Sequence, residues 1–323
     1  MEQEQTQTLK GTVCRELDNL AGMVILRDGE IQYEQYQSGF TAGDSAHVFS
    51  VTKSVISALL GIAMAQGAIQ SVSQRVLDFF PGYTPKRGEK VLQTVTLRDL
   101  LTMTAPYKYR SAPYTKYFSS DSWVYAALDL LGGRGKIGDF RYTPVIGPDI
   151  FSGILQAATG RSVLDFANQS LFAPLGISQK HSVIFSGRDA QMTWYQQGRY
   201  HGCWVADPMG VNTAGWGLTL TAREMAALGQ LYLNDGAWGG EQLIPARWGR
   251  ESSAAHSCWA EAGLSYGYLW WVLDKDCFAA VGDGGNVIYV NRAKGLVVSI
   301  ASTFRPRVTD RLAWIQAHIE PLF

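Results

Sequence analysis

The sequence predicts an α/β fold of the α+β type: one antiparallel sheet built from the N- and C-terminal segments, flanked by helices, with a mainly helical region inserted between them. Three observations carry this. Strand-like apolar runs gather near both ends of the 323-residue chain, helix-like segments broken by turn residues fill the middle, and 46% hydrophobic residues supply apolar surface for a large core. The expected division places residues 1–75 and 216–323 in the sheet domain and residues 76–215 in the helical one.

Taken in order, "MVILRDGEIQYEQY" (Met23 to Tyr36) is two apolar-containing runs joined by Asp28-Gly29, the dipeptide a two-residue hairpin favours. A helix follows from about Ser50 to Gly67, apolar nearly all round through Val55, Ile56, Leu59, Leu60, Ile62 and Ala63, and therefore central. From Val76 short helical segments alternate with turns, with Thr96 and Asp99 spaced as a capping pair and Gly160 and Gly176 placed as helix stops. Between Ser178 and Asn212 the irregular, aromatic-rich text, including "MTWYQQGRYHGCW", predicts a long decorated loop before the helix from Thr221 to Gly236. Four runs, "YGYLWWVL", "CFAAVG", "NVIYVN" and "GLVVSIAS", then read as strands, and "VTDRLAWIQAHIEPLF" closes the chain as a helix.

Composition narrows the function classes. Lysine plus arginine balances aspartate plus glutamate, 28 against 28, with no block of like charge, so no footprint for nucleic acid or an anionic membrane is present. The polar N-terminus lacks the basic start and apolar core of an export signal, which predicts a cytoplasmic protein. The longest apolar run, Val55 to Ala65, falls short of the roughly 20 residues a bilayer span needs. Cys14, Cys203, Cys258 and Cys277 lack metal or redox spacing, and the five histidines are unpaired, so no metal or organic cofactor is expected. A small-molecule substrate is the expected partner.

Two serines carry nucleophile patterns. Ser265 lies in Gly263-Leu264-Ser265-Tyr266-Gly267, but a nucleophile elbow follows a strand and opens a helix, whereas "YLWWVL" continues as a strand; Ser265 is expected at a strand entrance. Ser50 and Lys53 form the one S-x-x-K, three apart on one helix face, so the amine can approach the hydroxyl. Burial in this apolar helix lowers the lysine pKa from its usual ~10.4 and makes it a usable base. A serine N-cap with a solvated lysine is the alternative.

The segment "FSVTKSVISALLGIAMAQGAI" resembles the active-site segment of the class C β-lactamase-like superfamily, which includes serine β-lactamases, penicillin-binding proteins, esterases and 6-aminohexanoate-dimer hydrolases. The resemblance continues in order through "VLDFFPGY", "TVTLRDLLTMTAP", "DFANQSLFAPLGI", "GWGLTLTAREMAALGQLYLNDGAWGGEQLIP" and "YGYLWW", from about Val24 to Ser302. It implies a β-lactamase/penicillin-binding-protein-like fold, Ser50 as nucleophile and Lys53 as base.

By the same resemblance Tyr142 in "DFRYTPVIGPDIF" is the proton-shuttling tyrosine, with Pro144 where the family usually has asparagine. "VGDGGNVIYV" is the counterpart of the family's Lys- or His-x-Gly strand, which makes Asp283, Gly284 and Gly285 substrate-binding residues and the N–H of Asn286 an oxyanion donor with that of Ser50. Asp283 reverses the usual charge there and favours an uncharged or cationic substrate. The expected function is a serine hydrolase acting through an acyl-enzyme on an ester or amide. A penicillin-binding protein or β-lactamase, and a weakly active or inactive binding or sensing module of the same fold, are the alternatives.

Overall fold

The computed structural model describes all 323 residues. Eight antiparallel strands form the main sheet: β1 (Leu20–Arg27), β2 (Glu30–Tyr36), β3 (Ser257–Trp259), β4 (Leu264–Tyr266), β5 (Trp271–Val272), β6 (Cys277–Gly282), β7 (Asn286–Asn291) and β8 (Leu296–Ser302), in the order β2-β1-β8-β7-β6-β5-β4-β3. The hairpin turn is where Asp28-Gly29 predicts it, with φ of 51° and 87°. Because β1 pairs with β8, from Gly22 opposite Ala301 to Arg27 opposite Leu296, the two ends of the chain close one sheet.

The sheet is buried on both faces, and the period of two along its strands sorts side chains between two cores. Met23 and Ile25 of β1, with Val298 and Ile300 of β8, face helices α1 (Gln3–Glu16) and the closing helix Arg311–His318. Val24, Leu26 and Val297 join the larger core on the other side, beneath α2 (Thr52–Ala65) and α3 (Ala222–Leu233). That larger core runs on without interruption into the helical region, through Phe80, Leu101, Ile150, Phe151 and Phe166.

Three local differences from the sequence reading have physical causes. Helix α1 was not expected, since its surface is polar; only Leu9 and Val13, followed by Leu17, mark its buried stripe, four residues apart. The stretch from Ser178 to Asn212 is not a loop throughout. His181–Ile184 pairs in parallel with Cys203–Ala206, and a helix, Arg188–Gln196, fills the space between them. Ser50 also does not cap α2: it sits in a single 3-10 turn, Phe49–Val51, that leads into the helix. Elsewhere the punctuation matches, with Thr96 and Asp99 bonded as a capping box, Gly160 in the left-handed region ending its helix, and Ser265 inside β4. No helix is long and apolar enough to cross a membrane.

Candidate active site

The turn that carries Ser50 is clamped on both sides. Val48 N–H bonds the Leu218 carbonyl, and β6 packs against the 3-10 turn so closely that a Cβ on Gly282 would overlap the Val48 carbonyl oxygen and stand 3.2 Å from the Ser50 nitrogen. Phe49, immediately before Ser50, has φ of 48°, a conformation that a non-glycine residue holds only when its surroundings enforce it. Together these fix where the serine hydroxyl points.

Lys53 begins the next turn and is 1% exposed. Its Nζ lies 2.7 Å from Ser50 Oγ, 2.7 Å from the Pro144 carbonyl oxygen and 2.8 Å from that of Gly215. Burial brings its pKa down to about 7, against the opposing pull of the Asp149 and Asp283 carboxylates. A neutral amine has two N–H groups and one lone pair. With two carbonyls taking the two N–H groups, the lone pair is left facing the serine, whose O–H then donates to Nζ.

Pro144 therefore supplies a backbone acceptor at the place where the family usually has an asparagine. Gly215 is needed for the second acceptor, since a Cβ there would come 2.8 Å from the Pro144 oxygen and 3.0 Å from the Val145 oxygen. Asp149, which sequence reasoning missed, holds this cradle. Its carboxylate accepts the N–H of Ala214 at 2.7 Å and of Gly215 at 3.2 Å, and Tyr117 O–H at 2.6 Å. Burial pushes Asp149 up to about 6, with those three donors pulling the other way.

Tyr142 is half-buried beside the pair, its ring centre 5.3 Å from Lys53 Nζ and 5.4 Å from the Trp271 ring. Burial pushes its phenol up to about 12, partly offset by the hydrogen bond it shares with the Ser50 side chain. At neutral pH Tyr142 holds its proton and can pass it on, while Lys53 is the group that can accept one.

Ser50 and Asp283 open on a cavity of about 530 Å³ whose lining is half aromatic: Phe49, Tyr114, Phe118, Tyr195, Trp216 and Phe304. No lysine or arginine lines it. Of the residues expected at the substrate end, only Asp283 reaches this cavity. Gly284 and Gly285 lie behind it, the Gly284 carbonyl accepting from Asn19 Nδ2 at 2.7 Å and the Gly285 carbonyl from Ser302 Oγ at 3.3 Å.

Asn286 is wholly buried on the last rung opposite Gly282; its Nδ2 donates to the Asp283 and His47 carbonyls at 2.8 and 3.3 Å, and its Oδ1 accepts the Ser302 N–H. It braces the turn from inside. The strand backbone that packs against the Ser50 turn lies at Gly282, and Asp283 follows it. Trp270 is core, Trp271 packs under Tyr142, and His201 is exposed outside the cavity.

An antiparallel sheet closed by both chain ends, with an S-x-x-K pair opening a buried helix beside it, defines the fold class shared by β-lactamases and penicillin-binding proteins. The family described as Beta-lactamase matches residues 13–320, and the chain belongs to it. A 6-aminohexanoate-dimer hydrolase of Paenarthrobacter ureafaciens is 23% identical over 303 residues, covering 86% of this chain and 71% of that protein. Among solved structures, a family VIII carboxylesterase superposes with a TM-score of 0.74 at 14% identity, covering 99% of this chain and 97% of that one. A penicillin-binding protein homologue from Caulobacter crescentus gives 0.70 at 15% identity, covering 94% and 91%. The protein is thus a β-lactamase-family hydrolase.

Proposed function

We propose that the protein hydrolyses a small ester or amide through an acyl-enzyme on Ser50. The observation that carries this is the 2.7 Å approach of Ser50 Oγ to a lysine that is buried, held by two carbonyls and lowered to about 7. Ser50 Oγ attacks the substrate carbonyl carbon as its proton moves to Lys53 Nζ. The tetrahedral oxyanion sits between the N–H groups of Ser50 and Asp283, in place of the Asn286 N–H expected from sequence. Lys53 returns the proton to the leaving oxygen or nitrogen, with Tyr142 as relay, and the acyl bond to Ser50 forms as the bond to the leaving group breaks. Water, losing its proton to the same amine, then releases the acid and restores the Ser50 hydroxyl.

The cavity's single carboxylate and lack of cationic side chains favour an uncharged or cationic substrate over a carboxylate-bearing one. A fluorophosphonate probe tests the nucleophile. Wild type is expected to gain one adduct, mapped to Ser50 by peptide mass spectrometry, and Ser50→Ala none; folded wild type that takes no label would sink the proposal.

The base predicts the pH profile. Lys53 works only when neutral, so kcat/KM should climb with pH through about 7 and level off above it. A profile of an uncharged ester from pH 5 to 9 that is flat, or that falls as pH rises through 7, would rule out Lys53 as the titrating base.

A further inference from the structure

The cavity at Ser50 does not end at its aromatic wall. A second cavity of about 540 Å³ shares Tyr114, Phe118, Met192 and Tyr195 with it, so these four side chains stand between two adjoining chambers. Each chamber falls within the range of about 300–1,000 Å³ usual for small-molecule sites. The second is lined by Trp123, Ile184, Phe185, Ala206 and Pro208 as well, and Arg188 is its one charged side chain.

Exposure follows the same line. Tyr114, Ile184 and Met192 are 39%, 52% and 47% exposed, large apolar side chains gathered at the rim of one concave surface. Apolar side chains gathered this way around a cleft mark a surface that is covered in use. The two walls come from separate short helices, Tyr114–Phe118 and Arg188–Gln196, the latter entered at Gly187. Met192 and Tyr195 project from the second helix into both chambers.

Given acyl transfer at Ser50, we propose that the substrate carries an extended apolar arm, hexyl or longer, that runs from the scissile carbonyl between Tyr114, Phe118, Met192 and Tyr195 into the second chamber. The substrate class is then a medium-chain aliphatic ester or amide, its reacting end at Ser50 and its far end near Ile184 and Arg188. A short acetyl ester fills only the first chamber and forgoes that burial.

The test is a pair of homologous series: p-nitrophenyl esters from acetate to decanoate, which lengthen the acyl side, and alkyl acetates from methyl to octyl, which lengthen the other. Each methylene buried in an apolar site is worth up to about fourfold. In at least one series kcat/KM is expected to rise by at least about threefold for every two carbons beyond butyl. Ile184→Glu, at an exposed position, should lower the ratio of octanoate to acetate kcat/KM (or of octyl to methyl acetate) by at least about fivefold. Acetate turnover with both series flat or falling, or a ratio unmoved in Ile184→Glu, would overturn the arm and leave Ser50 chemistry standing. No turnover of any ester, with no fluorophosphonate labelling, would overturn the acyl-transfer mechanism and the arm with it.

Discussion

Lys53→Met is expected to lower kcat/KM by about 10²–10⁴ while the protein stays folded. Methionine matches the length and volume of the lysine stem, so the packing of α2 is kept. What is lost is the amine that touches Ser50 Oγ and can take its proton near neutral pH, since Tyr142 stays protonated up to about 12. The Pro144 and Gly215 carbonyls lose their donor, a cost of about 1–3 kcal/mol each where no water reaches them. Against this, the variant no longer buries an ionisable amine.

Stability against pH separates these effects. Lys53 is lowered to about 7 in the folded chain and has its ordinary value near ~10.4 when unfolded, so between these values the unfolded state binds more protons and wild-type stability rises with pH. Urea melts at pH 7 and pH 10 should show a gain in wild type, relative to Lys53→Met, on the order of 3 kcal/mol. Equal pH dependence in the two proteins would mean that Lys53 is protonated in the folded state and is not the base. Retained turnover in the variant would remove it from the mechanism altogether.

The Ser50–Lys53 contact was legible because it is written in side chains. Ser50 and Lys53 are three apart on a helix whose apolar surround, Val55 to Ala63, reveals both its burial and the lowering of the lysine. The hairpin at Asp28-Gly29 and the last three C-terminal runs were equally visible, since a period of two and left-handed turn residues are local signals, whereas "YGYLWWVL" is not one strand: it splits into the end of β4 and the short β5 around Leu269, whose φ is 65°.

The parts that stayed hidden are carried by backbone atoms or by distant packing. No sequence pattern announces that the carbonyls of Pro144 and Gly215 will converge on Lys53. Asp149 in "GPDIF" has the look of an ordinary helix-start acid. Its real partners, Ala214, Gly215 and Tyr117, lie 65, 66 and 32 residues away. The glycine run marks a turn without saying which residue packs on the Ser50 turn: three glycines around Asp283 are alike in sequence, and only the packing of β6 on Val48 distinguishes Gly282 from Gly284 and Gly285. Helix α1 escaped because three apolar residues in a polar segment are a faint stripe.

That distinction among glycines makes Gly282→Ala the second large effect. The backbone at 282 is extended, φ −127° and ψ 153°, a conformation alanine adopts freely, so any cost is steric and not conformational. The new methyl meets the Val48 carbonyl and the Ser50 nitrogen, backbone atoms that cannot rotate away. Overpacking of this kind costs about 1–3 kcal/mol, which a melt detects but which leaves the chain folded. The strand end must retreat from the Ser50 turn, carrying with it the Asp283 N–H proposed as the second oxyanion donor. Losing one oxyanion donor lowers kcat by about 10²–10³. The expected pair of results is therefore a modest drop in midpoint and a large drop in kcat, with Lys53 still titrating near 7 in the residual activity. A destabilised variant with wild-type kcat would place the second donor somewhere other than Asp283.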